Sequence, residues 1–350
     1  MPAFGRTLLI TGLSGFLAKH IACLALEHGY TVIGTLRNTA HTREIIDSIS
    51  RPLIQRHLPV DRISCVEADL DSDAGWEDAM RGVDAVIHTA SPFPVTQPRN
   101  PEPLIRTAVQ GTLRILETAS RARVHRVVMT SSLAAITQRR LEPGRRTYDE
   151  LNWSDSAGPN LTPYVRSKTQ AEQAAWEFVR RPGSQVCLTV INPGLILGPL
   201  LDGNLNTSTR LVERMLSGRD SMVPRIGFAV VDVRDVAAAH IRALDSLETS
   251  GKRFIVADRF LWYAEMARLL KIQYPDLKIT DREAPDALIR VMALFDSETR
   301  SIVPRIGQRE DVETLAAQKA FHLRFIPAET ALMETASSLI RRQRAGDPIH

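Results

Sequence analysis

Residues Thr7 to Arg37, TLLITGLSGFLAKHIACLALEHGYTVIGTLR, leave little freedom in how this chain begins to fold. An apolar run stops at Thr11-Gly12, a helical pattern opens at Gly15 and runs to His28-Gly29, and a second apolar run from Tyr30 to Leu36 ends at Arg37. Strand, glycine turn, helix and strand at this spacing suit a right-handed crossover between parallel strands. Such a unit sets a helix N-terminus, with its unsatisfied N–H groups, beneath a dinucleotide pyrophosphate. The spacing is Gly12-x-x-Gly15-x-x-Ala18. Gly12 makes the tight turn, Gly15 lets the main chain approach the phosphates, and Ala18 keeps helix and strand close. Thr11, Gly12, Ser14, Gly15, Phe16 and Leu17 are therefore expected to face the cofactor.

The end of the second strand bears on which dinucleotide. It reads Gly34-Thr35-Leu36-Arg37-Asn38, and no carboxylate lies between Glu27 and Glu44 to take the ribose 2′-hydroxyl of NAD. Arg37 is instead a ready partner for a 2′-phosphate, with Arg43 as a second contact, so NADP is favoured over NAD.

At 350 residues the chain has room for one large α/β domain with an appended lobe. Its formal net charge is +4, but acidic and basic residues are interspersed, a pattern that does not point to nucleic acid. Arg139, Arg140, Arg145 and Arg146 fall together in one expected loop, solvated or facing an anionic substrate. Cys23, Cys65 and Cys187 have neither paired nor metal-like spacing and read as buried free thiols of a reducing compartment. The histidines form no ligand grouping, so no metal is expected. No charged-then-apolar leader and no long apolar span is present, so a cytoplasmic protein without membrane contact is expected.

Further along, a helix near 43–49 and a Pro-punctuated loop precede a strand at 63–66. Asp69, followed by Leu70, stands just past that strand's carboxyl end, either as an acceptor for adenine's amino group or as a turn aspartate. A short helix at 76–80 leads to a strand at 85–88, where His88 reads as a packed residue. Thr89-Ala90-Ser91-Pro92 follows, small residues suited to backbone beside the cofactor phosphates and ribose. A helix at 103–121 then delivers a strand at 126–130 that ends Ser131-Ser132, two hydroxyls aimed at the ligand crevice.

Thr162-Pro163-Tyr164-Val165-Arg166-Ser167-Lys168 opens the next helix, with Thr162 as cap and Pro163 in its first turn. Tyr164 and Lys168 are four residues apart and share a face. The ammonium and the positive helix end are expected to pull the phenol below its usual pKa of about 10. A strand at 186–191 ends Asn192-Pro193-Gly194-Leu195, irregular backbone fit to lie along a nicotinamide. Beyond it come a helix at 205–216, a second helix opened by 228–236 and running to about 247, a last strand at 253–256, and helices from Trp262 to an amphipathic one at 328–342. The fold expected is α/β, a doubly wound parallel sheet (Rossmann) with a smaller, mainly helical C-terminal substrate lobe. Residues 1–193 and 229–257 would bind NADP, and 194–228 and 258–350 the substrate.

Taken together, TGLSGFLA at 11–18, Arg37, HTASPFP at 88–94, TSSLAA at 130–135, Tyr164-x-x-x-Lys168, NPGLILGP at 192–199 and VDVRDVA at 231–237 resemble the extended short-chain dehydrogenase/reductases. The resemblance covers most of the chain and is closest to the dihydroflavonol-reductase-like branch, which includes cinnamoyl-CoA, methylglyoxal and aldehyde reductases. It implies a catalytic set of Ser132, Tyr164 and Lys168. Tyr164 would exchange a proton with the carbonyl oxygen, Ser132 would hydrogen-bond that oxygen, and Lys168 would lower the tyrosine pKa and grip the nicotinamide ribose. Ala18 replaces the third glycine of many members, and Ala108 stands where many carry an asparagine that supports the proton relay.

The function so implied is NADP-dependent reduction of an aldehyde or ketone, with Phe93, Pro94, Thr137, Trp153 and Leu195 as candidate pocket lining. An acyl-CoA reductase is a neighbouring reading. A nucleotide-sugar epimerase or dehydratase would retain NAD, against which Arg37 argues. A non-catalytic NADP sensor would not need Ser132, Tyr164 and Lys168 together. The protein is expected to be a monomer or homodimer.

Overall fold

The computed structural model describes residues 5–92, 100–156, 158 and 161–344. Among these, the strands in chain order are β1 (Thr7–Thr11), β2 (Thr31–Leu36), β3 (Ile63–Glu67), β4 (Ala85–His88), β5 (Arg126–Thr130), β6 (Cys187–Pro193), β7 (Leu195–Leu197), β8 (Gly227–Asp232), β9 (Lys252–Val256) and β10 (Arg259–Trp262). Seven form one parallel sheet in the order β3-β2-β1-β4-β5-β6-β9. β4 is buried at every position and β1 and β5 nearly so. This is why they read as continuous apolar runs, since both faces of a parallel sheet are covered. The helices Phe16–Glu27, Thr42–Ile54 and Val233–Asp245 pack one face, and Glu102–Arg121 and Pro163–Arg180 pack the other.

The chain runs outward from β1 through β2 to β3, then crosses back to β4 and runs the other way. The crevice of such a sheet opens where that order reverses, at the carboxyl ends of β1 and β4. β7, β8 and β10 make a second, small sheet in the order β10-β8-β7, covered by the helices Thr207–Ser217, Tyr263–Gln273 and Ala328–Arg344. Thr335 of the last helix closes on it, accepting from the Gly198 N–H at 2.7 Å and donating to its carbonyl at 3.0 Å.

Several expectations are corrected. Residues 227–232 are a strand, and the helix starts only at Val233, capped by the Asp232 carboxylate accepting from the Arg234 N–H. β9 is not the last strand, because β10 follows and pairs antiparallel with β8. The helix expected to end near 49 continues through Pro52 to Ile54, its apolar residues Ile45, Ile49 and Leu53 buried along one face. Cys23, Cys65 and Cys187 are free thiols but half-buried, and burial pushes Cys23 to about 12 and Cys65 to about 11.

Gly34 of β2 illustrates how tightly the first turn packs. A Cβ there would stand 2.2 Å from Leu13 Cδ2 and 2.8 Å from Leu13 Cβ, so any side chain displaces the residue between Gly12 and Ser14. Gly34→Ala is expected to destabilise the fold by about 1–3 kcal/mol, read as a lower Tm, and to weaken dinucleotide binding. An unchanged Tm would mean that Leu13 moves aside freely.

Candidate active site

The glycine turn sits at the crevice. Gly12 adopts φ +70°, and a Cβ on it would meet Ala90 Cα at 3.1 Å, so the turn and the 89–91 segment are in near contact. Thr11 binds the two together. Its hydroxyl accepts from the N–H groups of Thr89 (3.1 Å) and Ala90 (3.0 Å) and lies 2.9 Å from His88 Nδ1. His88 is a buried packed residue, as expected, and burial drives its pKa down to about 3, the nearby Lys168 charge adding to this.

The helix Phe16–Glu27 begins at Gly15 with no side-chain cap and no acidic residue in its first turn, while Ser14 and Gly15 are exposed. A dinucleotide pyrophosphate fits such an end, because its N–H groups are open and no carboxylate repels it. Arg37 is exposed just past β2. Asp69 accepts from the Asp71 N–H at 3.1 Å, the turn role, and is itself half-exposed. Leu70 packs against Gly111 of the Glu102–Arg121 helix. Ser91 is half-buried. Asn192 and Pro193 end β6, Gly194 donates to the Val256 carbonyl at 3.1 Å, and Leu195 begins β7.

Ser132 follows β5 and caps a short helical turn, its Oγ accepting from the Ala134 N–H at 3.1 Å. The Pro163–Arg180 helix starts where the sequence indicates, with Thr162 Oγ1 accepting from the Val165 N–H at 3.3 Å and proline in the first turn. Tyr164 hydrogen-bonds to Ser132, and Lys168 Nζ stands 6.0 Å from the Tyr164 ring centroid. The structure thus brings Ser132, Tyr164 and Lys168 together from two elements. Two hydroxyls that converge in this way suit one carbonyl oxygen, one as proton donor and one as stabiliser of its charge.

The electrostatics correct one expectation. Burial holds the Tyr164 phenol above its ordinary value, opposed by the Ser132 hydrogen bond. Desolvation outweighs the favourable charges that the spacing suggested. The same cause lowers Lys168 to about 8, with the Glu172 charge opposing it.

Of the pocket candidates, Phe93 and Pro94 lie outside the described residues. Thr137 is buried, its hydroxyl donating to Glu310 Oε2 at 3.1 Å. Leu195 packs against the core of the small sheet. Trp153 lies under the Arg253 guanidinium, 3.8 Å from ring centroid to carbon, and also lines a cavity of about 570 Å³ with Gln138, Arg139, Arg140, Asp155, Gly158 and Leu161. Sequence reasoning passed over the buried charges beneath the site, Glu172 and Arg253. The available signal was a carboxylate one turn beyond Lys168 on the same face. Among the described residues no three His, Cys, Asp or Glu side chains gather as metal ligands, and no helix is long and apolar enough to cross a membrane.

A doubly wound sheet with an open helix end at its crevice and a Ser-Tyr-Lys group at its edge defines a dinucleotide-dependent enzyme class. The NAD dependent epimerase/dehydratase family matches residues 8–257, and the chain belongs to it, among the extended short-chain dehydrogenase/reductases. The chain is 31% identical to cinnamoyl-CoA reductase CAD2 of Medicago truncatula over 97% of its own length and 98% of that protein's. It is 33% identical to cinnamoyl-CoA reductase 1 of Petunia hybrida, over 96% and 92% of the two. The yeast methylglyoxal/isovaleraldehyde reductase Gre2, solved in complex with NADPH, superposes with a TM-score of 0.77 at 26% identity, covering 97% of this chain and 99% of that one.

We expect Lys168 to lose its proton near pH 8. NMR of protein labelled at lysine Cε, assigned with Lys168→Arg, reads this directly. A midpoint above 10 would place the ammonium in water.

Proposed function

We propose that this protein is an NADP(H)-dependent carbonyl reductase that reduces an aldehyde or ketone to an alcohol. The observation that carries the reading is the Ser132–Tyr164 hydrogen bond with Lys168 one turn on, at the carboxyl edge of the sheet. The division of labour proposed with it gives the cofactor residues 1–193 and 229–257, and the substrate residues 194–228 and 258–350.

Bound NADPH would supply the hydride, held by the turn Thr11 to Leu17, by Arg37 at the 2′-phosphate, and by Asp69, Leu70, Thr89, Ala90, Ser91 and Asn192 to Leu195. Tyr164 gives its proton to the carbonyl oxygen, and its phenol, held above the ordinary value, is fully protonated at neutral pH. Ser132 donates to the same oxygen, an arrangement worth most away from water. Lys168 carries the positive charge that offsets the phenolate left behind. The relatives include cinnamoyl-CoA reductases, and Arg139 and Arg140 line the cavity beside Trp153. Those two facts favour an acyl-CoA thioester as the second reading.

The test follows oxidation of NADPH and NADH side by side against ketones, aldehydes, diketones and acyl-CoA thioesters. NADPH should be preferred, and Tyr164→Phe should lower turnover by roughly 10²–10⁴-fold. Turnover confined to thioesters would select the second reading, and tightly retained NAD would move the assignment to an epimerase or dehydratase. Binding of NADPH without any turnover would favour a sensor.

The pH dependence has a definite sign. Reduction needs Lys168 charged and Tyr164 protonated, so kcat/KM should be level below about pH 8 and fall above it as the ammonium is lost. A profile that rises through that pH would exclude the need for a charged Lys168.

A further inference from the structure

Beneath the Ser-Tyr-Lys group lies a charge that the reaction does not use. Glu172 occupies the same helical face as Tyr164 and Lys168, two turns and one turn beyond them, and has no exposure to solvent. One carboxylate oxygen accepts from Ser131 Oγ at 2.6 Å and from Asn192 Nδ2 at 2.8 Å. The other accepts from Trp176 Nε1 at 3.2 Å and lies 2.7 Å from Arg253 Nε. Ser131 immediately precedes Ser132, and Asn192 also donates to the Ser132 carbonyl at 3.2 Å. One side chain thus ties the ends of β5 and β6 to the helix that carries Tyr164.

The charges nearby make its ionisation matter. Lys168 is faced by Tyr164 and Glu172 from its own helix and by neutral His88 from β4. Glu172 is faced by Arg253 from β9, which stacks on Trp153 and donates to the Asn152 carbonyl at 2.8 Å, so the guanidinium is held independently of Glu172. A buried ammonium with no anion beside it sheds its proton more readily. Glu172 is the anion that opposes this.

We propose that Glu172 is a positioning residue of this site: it fixes the Ser132 segment against the catalytic helix and presents the negative charge that the Lys168 ammonium faces. The inference deepens the reductase reading, yet half of it is measurable without turnover.

Glu172→Gln keeps the shape and removes the charge. The Lys168 midpoint, followed by lysine Cε NMR without substrate, should fall by about one pH unit, and the high-pH limb of kcat should move down with it. Arg253→Gln removes the opposing cation and should move the midpoint up. A purely structural role predicts no such pair of opposite shifts. An unchanged midpoint in folded Glu172→Gln, or shifts of one sign in both variants, would overturn the proposal. Should Glu172→Gln fail to fold by near-UV circular dichroism, Arg253→Gln decides alone, an upward shift supporting the proposal and no shift overturning it. Absence of turnover in the wild type would remove the reductase reading and leave the Lys168 shifts as the measure of this one.

Discussion

A carboxylate removed from water is the constraint around which the Ser132–Tyr164–Lys168 end of this fold is arranged. An unpaired buried charge is strongly unfavourable, and the surroundings must hydrogen-bond it and set a cation against it. Glu172 finds those partners just past β5, on β6, on β9 and on its own helix, and the strands among them are far apart in sequence and meet only when the sheet is complete. The ion pair with Arg253 and the hydrogen bonds from Ser131 and Asn192 therefore form only when those strands are assembled, while the bond from Trp176 is local to the helix. That coupling ties the placement of Ser132 to correct assembly of the strands at this end of the sheet.

Burial also acts on Tyr164 and Lys168, the residues proposed to carry the chemistry, in opposite electrical senses. It raises the Tyr164 phenol and lowers the Lys168 ammonium, so both are driven toward their neutral forms. For reduction this suits Tyr164, which must hold a proton to give away. It works against Lys168, and the compensating charge of Glu172 is what keeps the ammonium titrating near 8 instead of lower. The balance belongs to the packed helix and not to the Tyr-x-x-x-Lys spacing by itself.

This distinction explains what was legible in the sequence. The glycine turn, the apolar runs of β1, β4 and β5, the Thr162-Pro163 helix start and the Tyr164–Lys168 spacing are local patterns, and the structure places each within a residue or two of where it was expected. The sequence points to a helix where β8 lies because Asp232, the true cap, sits within a run of valines common to both strand and helix. The spacing gives the wrong direction for the Tyr164 shift because it reports neighbours on one helix, while desolvation is a property of everything packed around the phenol. Glu172 was passed over for the same reason, since a glutamate among alanines in a helix reads as solvated until Arg253, Ser131 and Asn192 are seen around it.

The cofactor end of the crevice is built from different material. Because the Thr11 hydroxyl accepts two backbone N–H groups, its own proton goes to His88 Nδ1, which assigns the neutral tautomer with hydrogen on Nε2, directed at Thr112 Oγ1 3.5 Å away. With His88 lowered to about 3, that arrangement does not change charge anywhere near neutrality. The glycine turn and the 89–91 segment are thus joined through groups that do not titrate in the range where Lys168 does. The Thr11–His88 junction, proposed to lie under the dinucleotide phosphates, keeps its charge state across the pH range in which Lys168 changes, so the pH dependence of such a site enters through Lys168.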